Sequence, residues 1–376
     1  VNFNYHLPVN LIFGRGRVSE LGTQAARCGK RALVVTGRNS AKKTGLLDRA
    51  LSYLSAVGLE YALFDEVEQN PLTTTVSRGV EAIRSHGCDV VIGLGGGSIM
   101  DAAKGMAFMA VNEGDISDYI FNVRTSDMAL PIILVPTTCG TGSEGNGFAV
   151  LTNPETKDKK SLRCNAIIPK ASIIDPELMT TMPKNLLASV GFDALCHCME
   201  GYISRICSPM TEIIALEGIR MTYESLQRVY DDYSDMEAWE RLTWGSTLGG
   251  MTLNLAGVTA AHGMEHPASG LRDIVHGSGL AALTPPVYRR SISGAPERFA
   301  VISRLMGGRD ETDCVERIEI LLERIGLTTS LGRQGLTSGD VDWMVKNCMK
   351  ISAAGISGNP VVFTESELAE IYNEAM

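Results

Sequence analysis

A β-branched strand that runs through a glycine cluster directly into a helix leaves a chain few architectures, and residues 88–101 are such a run. Val90-Val91-Ile92 leads into Gly93-Leu94-Gly95-Gly96-Gly97, and Ser98-Ile99-Met100-Asp101 opens a helical pattern rich in Ala and Met. Glycines let backbone N–H groups crowd an anion, and the positive end of a helix dipole adds to that attraction. Ser98 and Asp101 stand at capping-box spacing, with an Asp where Glu or Gln is usual. The run lacks the Gly-Lys-Ser/Thr ending of a Walker loop, and it fits G-x-G-x-x-G only if Ser98 replaces the last glycine. Strand, glycines and helix in this order are the setting of a pyrophosphate cradle, with an ordinary capped βα turn as the plainer alternative.

Around this run, residues 1–182 alternate short β-rich segments with helical patterns, which predicts a parallel or mixed sheet covered by helices. Strands are expected at 10–14, 31–36, 61–64, 131–136, 148–152 and 172–175, and helices at 18–28, from about 43, and at 73–86. A basic turn around Lys159 and Lys160 is expected between the last two strands. Pro136 feeds Thr137-Thr138-Cys139-Gly140-Thr141-Gly142-Ser143-Glu144, whose hydroxyls and glycines suit a cofactor's phosphates, ribose and amide as well as they suit a solvated turn. After Met182-Pro183-Lys184 the β-branched runs give way to helical patterns at 185–205, 208–229, 236–255, 281–289, 296–306, 312–325 and 338–349. The fold class is therefore α/β plus all-α, with a nucleotide-binding domain over 1–182 and an all-helical domain over 183–376. A chain of 376 residues is also too long for one ordinary core.

The helical half carries the metal-ligand pattern. In Gly191-Phe192-Asp193-Ala194-Leu195-Cys196-His197-Cys198-Met199-Glu200, Asp193 and His197 are four apart and share a helix face. In Ala261-His262-Gly263-Met264-Glu265-His266 two imidazoles have the same spacing, and Val275-His276-Gly277 adds a third soon after. One acid and several imidazoles suit a divalent first-row ion such as Fe(II) or Zn(II). Each residue alone is equally compatible with a turn cap or a satisfied core imidazole, and spacing does not decide between His266 and His276 as the fourth ligand. Cys196 and Cys198 lie about 100° from His197 on a helix and read as packing residues. With the glycine loop on one domain and these residues on the other, the cleft between them is the economical site.

The net charge of −9 argues against nucleic acid or an anionic membrane as the main partner. No apolar run reaches membrane-spanning length, and the first residues lack the basic–apolar–small pattern of a signal peptide. Nine cysteines, an odd number with no C-x-x-C, fit reduced thiols in a cytoplasmic protein. Cys139 has no histidine near it in sequence and is not expected to be a nucleophile.

Taken together, the motifs resemble the iron-containing (group III) alcohol dehydrogenases over essentially the whole chain. The likeness rests on Gly95-Gly96-Gly97-Ser98-Ile99-Met100-Asp101, the loop from Pro136 to Glu144, Gly191 to His197, His262-Gly263-Met264-Glu265-His266-Pro267 and His276-Gly277, in that order. It implies a dehydroquinate-synthase-like fold, with an N-terminal Rossmann-type nucleotide-binding domain and a C-terminal helical metal-binding domain. It implies one divalent metal, usually iron and sometimes zinc, held by Asp193, His197, His262 and His276. His266 then falls where relatives often have a histidine near the nicotinamide, a candidate proton relay. By family position, Asn70, Gly96, Gly97, Ser98, Thr137, Thr138 and Lys160 become cofactor contacts. Cys139 occupies a slot that is usually Ala or Ser beside the cofactor, so thiol reagents or oxidation are expected to inactivate the protein.

The implied reaction is hydride transfer between a nicotinamide cofactor and a small alcohol or aldehyde, with the metal as Lewis acid on the substrate oxygen. NAD-selective sites commonly place an acid at the end of the second strand, for the ribose 2′-hydroxyl. Here Thr36-Gly37-Arg38-Asn39-Ser40 is followed by Lys42 and Lys43, with no acid before Asp48. Gly37, Asn39, Ser40 and Lys43 suit a 2′-phosphate instead, as in the NADP-using members, which favours NADP(H) over NAD(H). A lyase of the dehydroquinate-synthase type would call for several Lys and Arg residues near His262 or His276, and no such cluster is evident in the helical half. A structural assembly role is not expected without the fused aldehyde-dehydrogenase part. Specificity is expected in loops around 145–148 and 253–258, and a homodimer or higher homo-oligomer is expected because it is common among relatives.

Overall fold

In the computed structural model, which describes residues 2–376, eight strands precede an uninterrupted series of helices. The strands are β1 (Asn10–Phe13), β2 (Arg31–Gly37), β3 (Glu60–Val67), β4 (Val90–Gly95), β5 (Ile132–Pro136), β6 (Phe148–Thr152), β7 (Lys159–Arg163) and β8 (Ala171–Ile174). Six of them form one sheet in the order β1-β8-β5-β4-β2-β3, with every pair parallel. β4 sits inside it, and Val90, Val91, Ile92 and Leu94 are fully buried, as a strand covered on both faces requires. The cover consists of α1 (Leu21–Ala26), α2 (Ser40–Lys43), α3 (Leu46–Ala56), α4 (Thr73–His86), α5 (Gly97–Met109) and α6 (Ile116–Ile120). Separate apolar clusters fill the two faces of the sheet. Gly45, at φ 70°, breaks what reads in sequence as one helix into α2 and α3.

From Lys184 onward the chain holds α7 (Lys184–Ile203), α8 (Pro209–Asp231), α9 (Met236–Ala256), α10 (Ala260–Arg272) and α11 (His276–Ser291). These are followed by α12 (Pro296–Leu305), α13 (Asp313–Arg324), α14 (Val341–Ile351), α15 (Ala353–Gly358) and α16 (Glu365–Glu374). α7 is the axis of this half: residues 191–203 are all buried, and α8, α9 and α11 pack around it. Cys196 and Cys198 lie in that core, as packing residues should. None of the described helices is long and apolar enough to cross a membrane.

Three local expectations are corrected. The basic turn at Lys159 and Lys160 is strand β7, paired antiparallel with β6 so that Lys159 faces Thr152 and Arg163 faces Phe148. A run of Lys-Lys-Ser-Leu-Arg has little strand propensity of its own, and the cross-strand partners supply what it lacks. The Ser98–Asp101 capping box does not form, because α5 is capped at Gly96 and Ser98 already lies inside the first turn. Asp101 instead accepts from Ser143 Oγ at 2.6 Å and from the Val150 N–H at 2.9 Å. The pattern at 281–289 is only the later half of α11, and α10, α15 and α16 had no counterpart among the expected helices.

Candidate active site

Three helices converge on Asp193. Its Oδ1 lies 3.2 Å from His262 Nε2, 3.5 Å from His197 Nε2 and 3.6 Å from His276 Nε2. α7 brings Asp193 and His197, α10 brings His262, and His276 is the first residue of α11. The ligand atoms of Asp193, His262 and His276 all fall within 4.8 Å of one another, and His197 joins through Asp193 with its ring stacked on His262. Gly277 makes this approach possible, since a Cβ there would stand 2.1 Å from the Ser189 carbonyl oxygen on α7. A second group, Glu265, His266 and His276, has its ligand atoms equally close together.

Two carboxylates stand behind the histidines. Glu200 Oε1 is 2.5 Å from His262 Nδ1, and its other oxygen accepts from the Thr259 N–H at 2.6 Å. Glu265 contacts His276 Nδ1 and Ser269 Oγ, and Lys159 Nζ stands 3.7 Å away. Such partners fix which imidazole nitrogen faces the centre. Sequence reasoning missed both. The signal for Glu200 was present: Asp193, His197 and Glu200 are at i, i+4 and i+7 on one helix.

Burial and mutual charge set the protonation states. Burial alone would raise the Asp193 carboxyl, but His197, His276 and the bond from His262 outweigh it and hold it well below the usual range. Burial pulls His197 down to about 4, against the attraction of Asp193. His262 goes the other way: burial is overcome by Glu200 and Asp193, which push it up to about 10. Glu265 is held at about 2, its burial outweighed by His276 and Lys159. Burial, and then Lys159, keep His266 well below the ordinary imidazole value, so its ring is neutral at neutral pH.

The opposite wall belongs to the sheet. Gly37, Ser40, Asn70, Gly96, Gly97, Ser98, Thr137 and Thr138 line one groove that ends at Asp193 and His276. Asn39 and Lys43 are exposed and do not line it. Lys160 does not line it either: its Nζ donates to the Ile351 carbonyl at 2.7 Å, while Lys159, on the other face of β7, reaches the histidines. Successive strand residues point to opposite faces, so the one-residue choice between the two lysines decides which enters the cavity. His266 lines the cavity next to His276, with ring centroids 5.8 Å apart. Cations do approach His262 and His276, as Lys159 and Arg163, but from β7 rather than from the helical half.

Lys104 was also unforeseen. Fully buried on α5, it donates to the carbonyls of Ser143, Asn146 and Phe148 at 2.7–2.9 Å, and so holds the 143–148 loop against the site. Cys139 contradicts the expected thiol sensitivity. It is 1% exposed in the core of the helical half, and burial pushes its thiol far above the usual range, so it is neither accessible nor ionised.

Residues 8–176 match the iron-containing alcohol dehydrogenase family, and residues 187–376 match the C-terminal part of the Fe-containing alcohol dehydrogenase family. The chain is 36% identical to the 1,3-propanediol dehydrogenase of Klebsiella pneumoniae, covering 99% of this chain and 98% of that one. It is 30% identical to the NAD-dependent methanol dehydrogenase of Bacillus methanolicus, with 99% and 100% covered. Among solved structures, an archaeal halo-thermophilic alcohol dehydrogenase from a Red Sea brine pool matches with a TM-score of 0.96 at 32% identity, covering 100% of this chain and 99% of that one. With both halves matched in order, the chain belongs to the iron-containing alcohol dehydrogenase family, has its dehydroquinate-synthase-like fold, and is an oxidoreductase.

Proposed function

We propose that this chain reduces a small aldehyde, or oxidises the matching alcohol, at a metal held by Asp193, His197, His262 and His276, with NADP(H) as hydride carrier. The observation that carries the reading is one buried carboxylate oxygen with three imidazole Nε2 atoms 3.2–3.6 Å from it, at the end of a glycine- and threonine-lined groove. The donor set fits the ion: one oxygen and three nitrogens suit Fe(II) or Zn(II), and two of the imidazoles are backed by carboxylates. A metal there supplies Lewis acidity at the substrate oxygen.

The chain's own residues do the rest. Glu200 and Glu265 hold His262 and His276 by Nδ1, leaving Nε2 turned towards Asp193. Gly96, Gly97 and Ser98, at the start of α5, bind the pyrophosphate through backbone N–H groups, and Thr137, Thr138 and Asn70 orient the nicotinamide half. His266, neutral and on the cavity wall, exchanges a proton with the substrate oxygen at a ring nitrogen. Lys159 takes the place first given to Lys160. In this reading 1–182 carries the cofactor, 183–376 carries the metal, and the reaction takes place in the cleft between them.

The preference for NADP(H) draws support from Gly37 and Ser40 on the groove wall and from the lack of any acid between Gly37 and Lys43. The test is a panel of small aldehydes with NADPH and NADH, on metal-free protein reloaded with Fe(II) or Zn(II). Reduction that depends on the ion and favours NADPH by about tenfold or more, about 1.4 kcal/mol, is expected. Undiminished turnover in metal-free protein would overturn the metal role, and equal use of NADH would overturn the cofactor preference.

A further inference from the structure

Beyond His266 the ligand cavity adjoins a second cavity of about 220 Å³, and the two share Ser161, Arg163, Val258 and His266 as walls. Lys160, Arg163 and Lys350 line the second cavity, and among the described residues no Asp or Glu does, although the chain as a whole carries a net charge of −9. Lys350 is matched by Asp158 at 2.6 Å. Lys160 has no ion pair among the described residues: it donates to the Ile351 carbonyl and lies 5.6 Å from the centre of the Phe121 ring, with Asp158 acting on it only from beyond ion-pair distance. Arg163 is freer still. Its guanidinium lies 4.6 Å from the ring centre of Phe148, its cross-strand partner, and among the described residues none accepts its N–H groups.

We propose that this cavity is an oxyanion subsite. The substrate would then be a short aldehyde or alcohol that ends in a carboxylate, sulfonate or phosphate, held by Arg163 and Lys160. The inference rests on the dehydrogenase reading and deepens it. A guanidinium stacked on an aromatic ring is preorganised for a planar, bidentate pairing with an oxyanion. Lys159 is already taken by Glu265 at 3.7 Å, so the unmatched charge is that of Lys160 and Arg163, which line the second cavity beyond His266. A substrate whose oxygen sits at the ligand cluster would extend its tail that way. An alkyl tail there would cover charge without pairing it, whereas an oxyanion answers it. The volume holds such a group with a few waters, each occupying about 30 Å³.

The experiment uses the metal-loaded enzyme and matched aldehydes: butanal against succinic semialdehyde, pentanal against glutaric semialdehyde, and propanal against sulfoacetaldehyde and glyceraldehyde 3-phosphate. These arms separate carboxylate, sulfonate and phosphate. At least one anionic aldehyde should exceed its neutral partner in kcat/KM by about tenfold, chiefly through KM. Arg163→Gln should bring that ratio down towards unity, with Arg163→Lys and Lys160→Gln each removing part of it. Faster or equal use of every neutral partner, or a ratio untouched by Arg163→Gln, would overturn the subsite and leave the dehydrogenase reading standing. Failure to reduce any aldehyde with either cofactor would overturn both.

Discussion

Glu200 is buried, lies against His262 Nδ1, and has no contact with the opening of the cavity. Its effect must therefore pass through the ligand it holds. Glu200→Gln should weaken metal binding by about 10–100-fold in chelator competition, with the circular dichroism of the protein unchanged. In the proposed reading the same pair makes metal binding pH-dependent. His262, at about 10, carries a proton at neutral pH in the metal-free protein, and an ion can bind its Nε2 only once the ring is neutral. Affinity should therefore rise with pH by about tenfold per unit from neutrality towards that value, and fall as the solution is acidified. Calorimetry in buffers of different ionisation enthalpy should find about one proton released per ion at neutral pH, and less in Glu200→Gln. His197, at about 4, is already neutral there and contributes none. Asp193 and His197 were legible because helical spacing turns sequence distance into a shared face. His262 and His266 stood out by the same spacing, but the choice of His276 over His266 came only from the family resemblance. Lys159 and Arg163 were not, because their places depend on pairing with residues that a sequence does not mark as neighbours.

Glycines decide how closely the elements of the site approach. At Gly277 an added Cβ would meet the Ser189 carbonyl at 2.1 Å, and a carbonyl on a buried helix cannot swing aside. Gly277→Ala should push the start of α11 away from α7 and carry His276 with it. Overpacking of this kind costs about 1–3 kcal/mol, so both the melting temperature and the metal stoichiometry should fall. Gly263 is a contrast on α10. Its Cβ would meet the end of the Ile356 side chain at 3.3 Å and Ser352 Cβ at 3.4 Å, contacts that need little or no shift, and alanine favours a helix over glycine by about 1 kcal/mol. Gly263→Ala should leave the melting temperature unchanged or raise it. At this scale α4 and β6 could be read to the residue, since strong periodicity and β-branching leave little choice. α10 could not, because Gly263 and Pro267 dilute the helical pattern that its buried face otherwise shows. β7 was hidden by its charges, and with it the cations of the cavity.

Across the whole molecule, every proposed metal ligand lies after residue 184, while the glycine loop lies in the sheet half, so the proposed site needs the two halves to hold together. Polar ties cross it at several points. Asn70 Nδ2 donates to Asp273 Oδ1 at 2.6 Å and to the Ile274 carbonyl at 3.3 Å. Asp158 accepts from Asn347 Nδ2 at 2.7 Å and from Lys350 Nζ at 2.6 Å. An ion that binds only the folded state stabilises whatever unfolds together with its ligands, by about 2.7 kcal/mol at a hundred times its dissociation constant. If these ties couple the halves, metal added to the helical half should also slow amide exchange in β4 and β5, which contain no ligand. Asn70→Gly removes one tie without strain, since Asn70 sits at φ 47°, where glycine is at ease, and Asp158→Asn weakens the other. In the double variant the metal should still protect α7 and α11 in full, while the added protection of β4 and β5 shrinks. Equal protection of the sheet in variant and wild type would mean that apolar packing, rather than these hydrogen bonds, joins the two halves.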